Sequence, residues 1–272
     1  MKKLDNKFFL NDMSDSDKKA IKDKYSKAIE QTISVFKDYA DVQKKASVLS
    51  IKVEWEEYEH QFNAKSKRIE NDEYVINLNL YTPVKLEMIL SDKQVQDEYI
   101  YQIISTIITF ILWHEIFHII FGHCTIPKHM ELSNDVRRKF ETMCDLKGIE
   151  NMLVDIYVVV NDKDKNTKKN MYASLMCSLF IYFYILENIE LENNKEKLKN
   201  HEMLSRNNIE KTDNPYKTFT SNERSHPFTT FRFDLICCVI EQKIKDIEKL
   251  SDIDIDDIYK ISIDYSEYFG FS

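Results

Sequence analysis

Glycine and proline are almost missing: the 272 residues contain three and four of them. So few breakers leave little room for a turn-rich, all-β design and point to long helices. Cysteine is also sparse. The five cysteines are an odd count with no C-x-x-C spacing, which argues against a disulfide framework and for a reducing cytosol. Adjacent Cys237 and Cys238, in the apolar run FDLICCVIEQ, read as buried free thiols. There is no basic excess. The net charge of −8 argues against a nucleic-acid partner. The first residues, MKKLDNKFFLND, carry lysines but no sustained apolar stretch, so no secretory signal is read there. The two most apolar runs, residues 103–113 and 173–186, fall short of the roughly 20 residues a membrane helix needs. A cytoplasmic protein without a membrane partner is therefore expected.

What is present suits a folded chain. Hydrophobic content of 43% and charged content of 31% are ordinary for a globular protein. The length allows one or two domains. Residues 14–46 carry an apolar stripe at helical spacing (Ile21, Tyr25, Ala28, Ile29, Ile33, Phe36, Ala40), with Ser14 or Ser16 placed to cap it. SIKVEWEEYEH (50–60) and EYVINLNLY (73–81) alternate polar and apolar residues and are rich in strand formers. They read as a hairpin or two strands, separated by the charged stretch NAKSKRIEND. Asn77 and Asn79 would give the second strand a polar face suited to receiving an extended peptide. Helical patterns follow at 99–122, 135–157, 169–189, 192–206, 228–250 and 252–269, and residues 207–227 read as an exposed loop. The predicted fold class is α+β, predominantly helical, with a small sheet or hairpin at about 50–82. An N-terminal helical segment, 1–48, would precede a main domain at 49–272, or the whole chain would be one domain.

Chemistry concentrates in WHEIFHIIFGH, residues 113–123, which holds three of the seven histidines. His114-Glu115-Ile116-Phe117-His118 is H-E-x-x-H. On a helix, residues i and i+4 share a face with Cβ atoms about 5–6 Å apart. Two imidazoles there can both reach one ion at about 2.1 Å. Glu115, one position round, can stand over the open coordination position and act as a base. The bland alternative is a pair of satisfied core histidines. A buried face carrying His, Glu and His is costly unless every group is partnered, and a metal partners them together. His123 lies five residues past His118 and points elsewhere on a continuing helix. It is read as closing the helix C-terminus.

A third ligand is best sought in KFETMCDLKGIENM, where Glu141 and Asp145 form a second i, i+4 pair. Without a metal they would be a solvated face paired with Arg137 and Arg138. H-E-x-x-H followed by a helix carrying E-x-x-x-D resembles the gluzincin zinc peptidases. HEIFHIIFGH with FETMCD is similar to the CAAX-processing and HtpX-type enzymes, and SHPFTTFR (225–232) resembles their later His-Pro and Arg. The membrane spans of HtpX-type enzymes are lacking, as is the thermolysin-type N-E-x-x-S-D. The soluble phage-exclusion peptidases of Lit type are the nearer match, and ImmA/IrrE-type peptidases are also similar.

The resemblance implies Zn²⁺ held by His114, His118 and Glu141, with Asp145 orienting His114. Glu115 would be the catalytic base, His226 an oxyanion donor, and Arg232 a supporting residue. The implied activity is endopeptidase cleavage of a specific intracellular protein, with phage defence as the setting. The competing reading is a non-catalytic, zinc-containing regulatory or binding module.

Overall fold

The Ser14 hydroxyl accepts the Asp17 amide at 3.2 Å, and this opens helix α1, Asp15–Gln43. Such a cap satisfies one of the donors every helix N-terminus leaves free. In the computed structural model the described residues are 10–43, 49–58, 62, 64–127, 130, 132–204, 229–247 and 253–271. Tyr25, Ala28 and Phe36 of the expected stripe are buried, while Ile21, Ile29 and Ile33 pack at its margin. Tyr25 stacks on Tyr101 with ring centroids 5.8 Å apart, and Phe36 meets the edge of Trp113.

Three strands follow: β1 (Ser50–Glu56), β2 (Ala64–Glu70) and β3 (Glu73–Asn79), in the order β1-β3-β2. Of the two arrangements the sequence allows for the first and last of these, a hairpin or two strands of a small sheet, the structure has the second. β1 runs parallel to β3, with Val53 opposite Ile76. The hairpin is β2–β3, closed at Asn71 and Asp72, with Ser66 opposite Ile76. The charged stretch between the apparent strands is itself a strand. Its lysines and arginine hid it, and edge strands carry such charges to discourage stray pairing.

β3 is therefore central, and it is buried on both faces from Tyr74 to Asn79. Asn77 donates to Glu56, and Asn79 donates to the Tyr58 carbonyl while accepting the Tyr58 and Tyr81 amides. The polar face expected to receive a peptide is spent inside the protein. Among the described residues, the free edge beside the helices belongs to β2.

Helices α2 (Tyr81–Asp92), α3 (Asp97–Ile120), α4 (Asn134–Val160), α5 (Lys165–Leu204), α6 (Thr229–Ile247) and α7 (Ile255–Tyr268) complete the described chain. The two helical segments expected at 169–189 and 192–206 are one continuous α5. α3 is apolar nearly all round, and from Ile103 to Ile119 most of its residues are buried. A helix hydrophobic on every side belongs in a core. Each fully buried Ile, Leu or Trp there contributes on the order of 1.5–3 kcal/mol. α3 and the Lys165–Ile189 part of α5 are long and apolar enough to cross a membrane, which the run-length estimate missed. In this fold 72% and 61% of the most apolar 18 residues in each are buried.

The crossing of α4 over α3 sets the geometry of everything that follows. Gly148 lies against the α3 backbone: a Cβ there would sit 3.3 Å from the His114 amide nitrogen and 3.5 Å from the Trp113 Cβ. A side chain there would have to push the α3 backbone away by a few tenths of an ångström, so glycine favours this approach. Every residue one or two turns before Gly148 on the same face is thereby held close to the middle of α3. Cys237 is half-buried and Cys238 is exposed. α6 buries a single stripe (Ile236, Ile240, Ile244), and Cys238, two residues on from Ile236, points about 200° away from it.

Candidate metal centre

His114 and His118 leave α3 toward α4, where Glu141 leaves α4 toward α3. His114 Nε2 lies 3.0 Å from His118 Nε2 and 3.3 Å from Glu141 Oε2, and His118 Nε2 lies 3.6 Å from Glu141 Oε1. The two histidine side chains are 10% and 14% exposed and Glu141 17%, so little water competes. Donors about 2.1 Å from one tetrahedral ion stand about 3.4 Å apart. The observed separations match that spacing, and one donor atom from each residue falls within 4.8 Å of the others. Two imidazoles and a carboxylate are also a donor set that zinc accepts. The residues fit a metal.

Electrostatics tie the cluster together. Burial works against charge on His114, but the Asp145 carboxylate, then Glu141 and Glu115, hold its pKa up at about 10. Burial opposes ionisation of Glu141, yet hydrogen bonds from the two imidazoles hold it well below the usual carboxylate range. Asp145 is 1% exposed. Its carboxylate lies 2.8 Å from His114 Nδ1 and accepts two bonds from Arg232, Nε at 2.6 Å and a terminal nitrogen at 2.8 Å. Against its own burial, the guanidinium and then His114 keep Asp145 ionised well into acid. The guanidinium also sits over the Phe183 ring at 5.4 Å. Among the described residues, α6 thus reaches the cluster through Arg232.

The expected site residues fare differently. His114, Glu115, His118, Glu141, Asp145 and Arg232 come together. His226 lies outside the described residues. His123 is not the helix closure: Gly122 is, at φ +73°, with the Phe121 and Gly122 amides donating back to Phe117 and Ile119. That left-handed turn is the usual way a helix ends. It swings His123 back, so that its Nδ1 lies 2.9 Å from His118 Nδ1 and its ring stacks on Phe140, centroids 3.9 Å apart. Burial and the neighbouring His118 lower the His123 pKa to about 4, which keeps it neutral.

Two participants escaped the sequence reading. Cys144, fully buried, places Sγ 3.7 Å from His123 Nδ1. Burial and the nearby carboxylates push its thiol pKa up, so it stays protonated. Its position three residues after Glu141 was a usable signal, because i, i+3 and i+4 share a helix face. The other is Ser66. Its backbone amide donates to Glu115 Oε2 at 2.7 Å, and its hydroxyl accepts from Cys124 at 3.2 Å. Nothing local in the sequence announced that β2 would lie across α3.

A family model described as Peptidase U49 matches residues 24–213, well over half of the chain. The chain belongs to the Peptidase U49 family. No curated protein and no solved structure matches it. The matched span contains α1 from Lys24, the sheet, and all of α2–α4, hence His114, Glu115, His118, Glu141 and Asp145. Arg232 lies beyond it. This U49 member is thus a peptidase whose family match covers the His–Glu cluster.

Proposed function

We propose that this peptidase is a zinc-dependent endopeptidase of gluzincin type, acting in the cytoplasm on a specific intracellular protein, with phage defence as its setting. The observation that carries the reading is the convergence of His114, His118 and Glu141 at ligand spacing, with Glu115 immediately beside them. Zinc bound by those three residues would supply Lewis acidity, activating a water and polarising the scissile carbonyl.

The chain's own groups do the rest. Glu115 takes a proton from the attacking water and passes it to the leaving amine. A carboxylate has several acceptor positions, so the Ser66 amide bond orients Glu115 and leaves it capacity for water. Because the Ser66 amide points to Glu115 rather than to β3, the outward edge of β2 faces the cluster. An extended substrate can pair along that edge and bring its scissile carbonyl to the His114–His118–Glu141 cluster, beside Glu115. His226 serves as the oxyanion donor. Asp145, held by Arg232, orients His114.

The test compares wild type with Glu115→Gln. Both should contain zinc after purification without chelators, and only wild type should cleave a protein in a co-incubated cell extract. Absence of zinc from wild type removes the reading. Zinc in both with no cleavage in either favours a regulatory zinc module.

A further inference from the structure

The two histidines facing the site are held from behind in different ways. His114 has a carboxylate at its Nδ1, from Asp145. Among the described residues, His118 has no carboxylate at Nδ1. It has the Nδ1 of another imidazole, His123, at 2.9 Å. At that distance two lone pairs repel, and so do two N–H groups, so with no metal ion bridging them one of the two nitrogens carries a proton and the other accepts it. If His118 presents the lone pair of Nε2 to a metal, its proton must be on Nδ1, and His123 must be the acceptor.

The surroundings of His123 are built for that part. The left-handed turn at Gly122 sends the chain back over the end of α3. Phe140 stacks almost parallel on the ring, at 17°, and fixes its plane. Cys144, a protonated thiol at 3.7 Å from the same Nδ1, is a weak second donor and not a competing acceptor. Both Phe140 and Cys144 come from α4, the helix that also brings Glu141.

We propose that His123 is a positioning residue for His118. Its Nδ1 accepts the His118 Nδ1–H, fixes the tautomer that exposes Nε2, and holds the ring in the plane needed for ligation. The inference rests on the zinc reading above. Its consequence is an asymmetric site, in which His114 is backed by a carboxylate and His118 by an imidazole.

Zinc affinity, measured by competition with a chromophoric chelator, tests this in three proteins. His123→Phe keeps the stack on Phe140 but removes the acceptor. It should weaken zinc binding about 10–100-fold, the usual loss when a ligand's hydrogen-bond partner is removed. His123→Asn, whose Oδ1 can stand near the place of Nδ1, should recover most of that loss. If wild type binds zinc and the Phe variant binds it equally well, His123 has no positioning role and the zinc reading stands. If wild type binds none, both fall.

A measurement on wild type alone guards against a Phe variant that does not fold. In zinc-loaded, histidine-labelled protein, a scalar coupling across the N–H···N bond should link His118 Nδ1 to His123 Nδ1, and its absence overturns the proposal. Cobalt substitution covers the remaining possibility. A sulfur-to-cobalt charge-transfer band that disappears in Cys144→Ser would make His123 and Cys144 ligands themselves, and would also overturn it.

Discussion

Replacing Arg232 with Met should destabilise the whole protein, although Arg232 touches none of the three proposed ligands. The Asp145 side chain is 2% exposed and that of Arg232 12%. Their contact is a two-pronged one, at 2.6 and 2.8 Å. Removing one partner from such a pair strands a buried charge, at a cost of about 3–5 kcal/mol. His114 stays 2.8 Å from Asp145 and compensates part of it, so the lower half of that range is expected. At roughly 2–4 °C per kcal/mol for a protein of this size, the melting temperature should fall by about 6–16 °C. Arg232→Lys keeps the charge but loses the planar fork, and should fall between the two.

Scanning calorimetry on chelator-treated protein reads this free of metal. The sign of the pH dependence is a second check. Asp145 has a depressed folded pKa, so its stabilisation is complete above the unfolded value of about 3.9 and is lost as pH falls through the lower folded value. A loss below about 1 kcal/mol at pH 7 would mean that the pair behaves as a surface ion pair, and the account of Asp145 as a buried hub would be wrong.

Four further outcomes are expected. Gly148→Val should push α4 off α3, costing about 1–3 kcal/mol by overpacking and weakening metal binding through Glu141; urea unfolding and metal titration read the two effects, and unchanged values would show that the crossing is slack. Ser66→Pro deletes the amide that holds Glu115 while sitting on an edge strand where Pro is tolerated, so cleavage should slow with zinc content unchanged. Burial raises the Asp155 pKa to about 6, so its ionised form is disfavoured in the fold. Asp155→Asn should therefore stabilise the protein by about 1 kcal/mol above pH 6, an advantage that fades as pH falls to about 3.9 because both states are then protonated; melting curves across that range check it. In metal-free protein the raised His114 pKa contributes stability that is complete below about 6.5 and lost as pH rises through about 10, which an alkaline melting series should reveal.

Local patterns were legible where local physics decides. The H-E-x-x-H spacing places two imidazoles on one face of any helix, and E-x-x-x-D does the same for two carboxylates. The apolar stripe of α1 and the all-round apolar character of α3 also announced themselves. The strand at 64–70 did not, because its charges mask an alternation that matters only once β3 lies beside it. His123 was misread because one left-handed residue, Gly122, reverses the direction a continuing helix would have given it.

The sequence by itself determined the helices, their polar faces and the residue types able to bind a metal, since each follows from periodicity within one element. Tertiary structure alone decided that Glu141 meets the two histidines, that Arg232 meets Asp145, and that Ser66 meets Glu115. Those encounters depend on the α3–α4 crossing at Gly148, on the path of α6, and on which strand ends at the sheet edge. No spacing along the chain encodes them, because they arise from how separate apolar surfaces share one core.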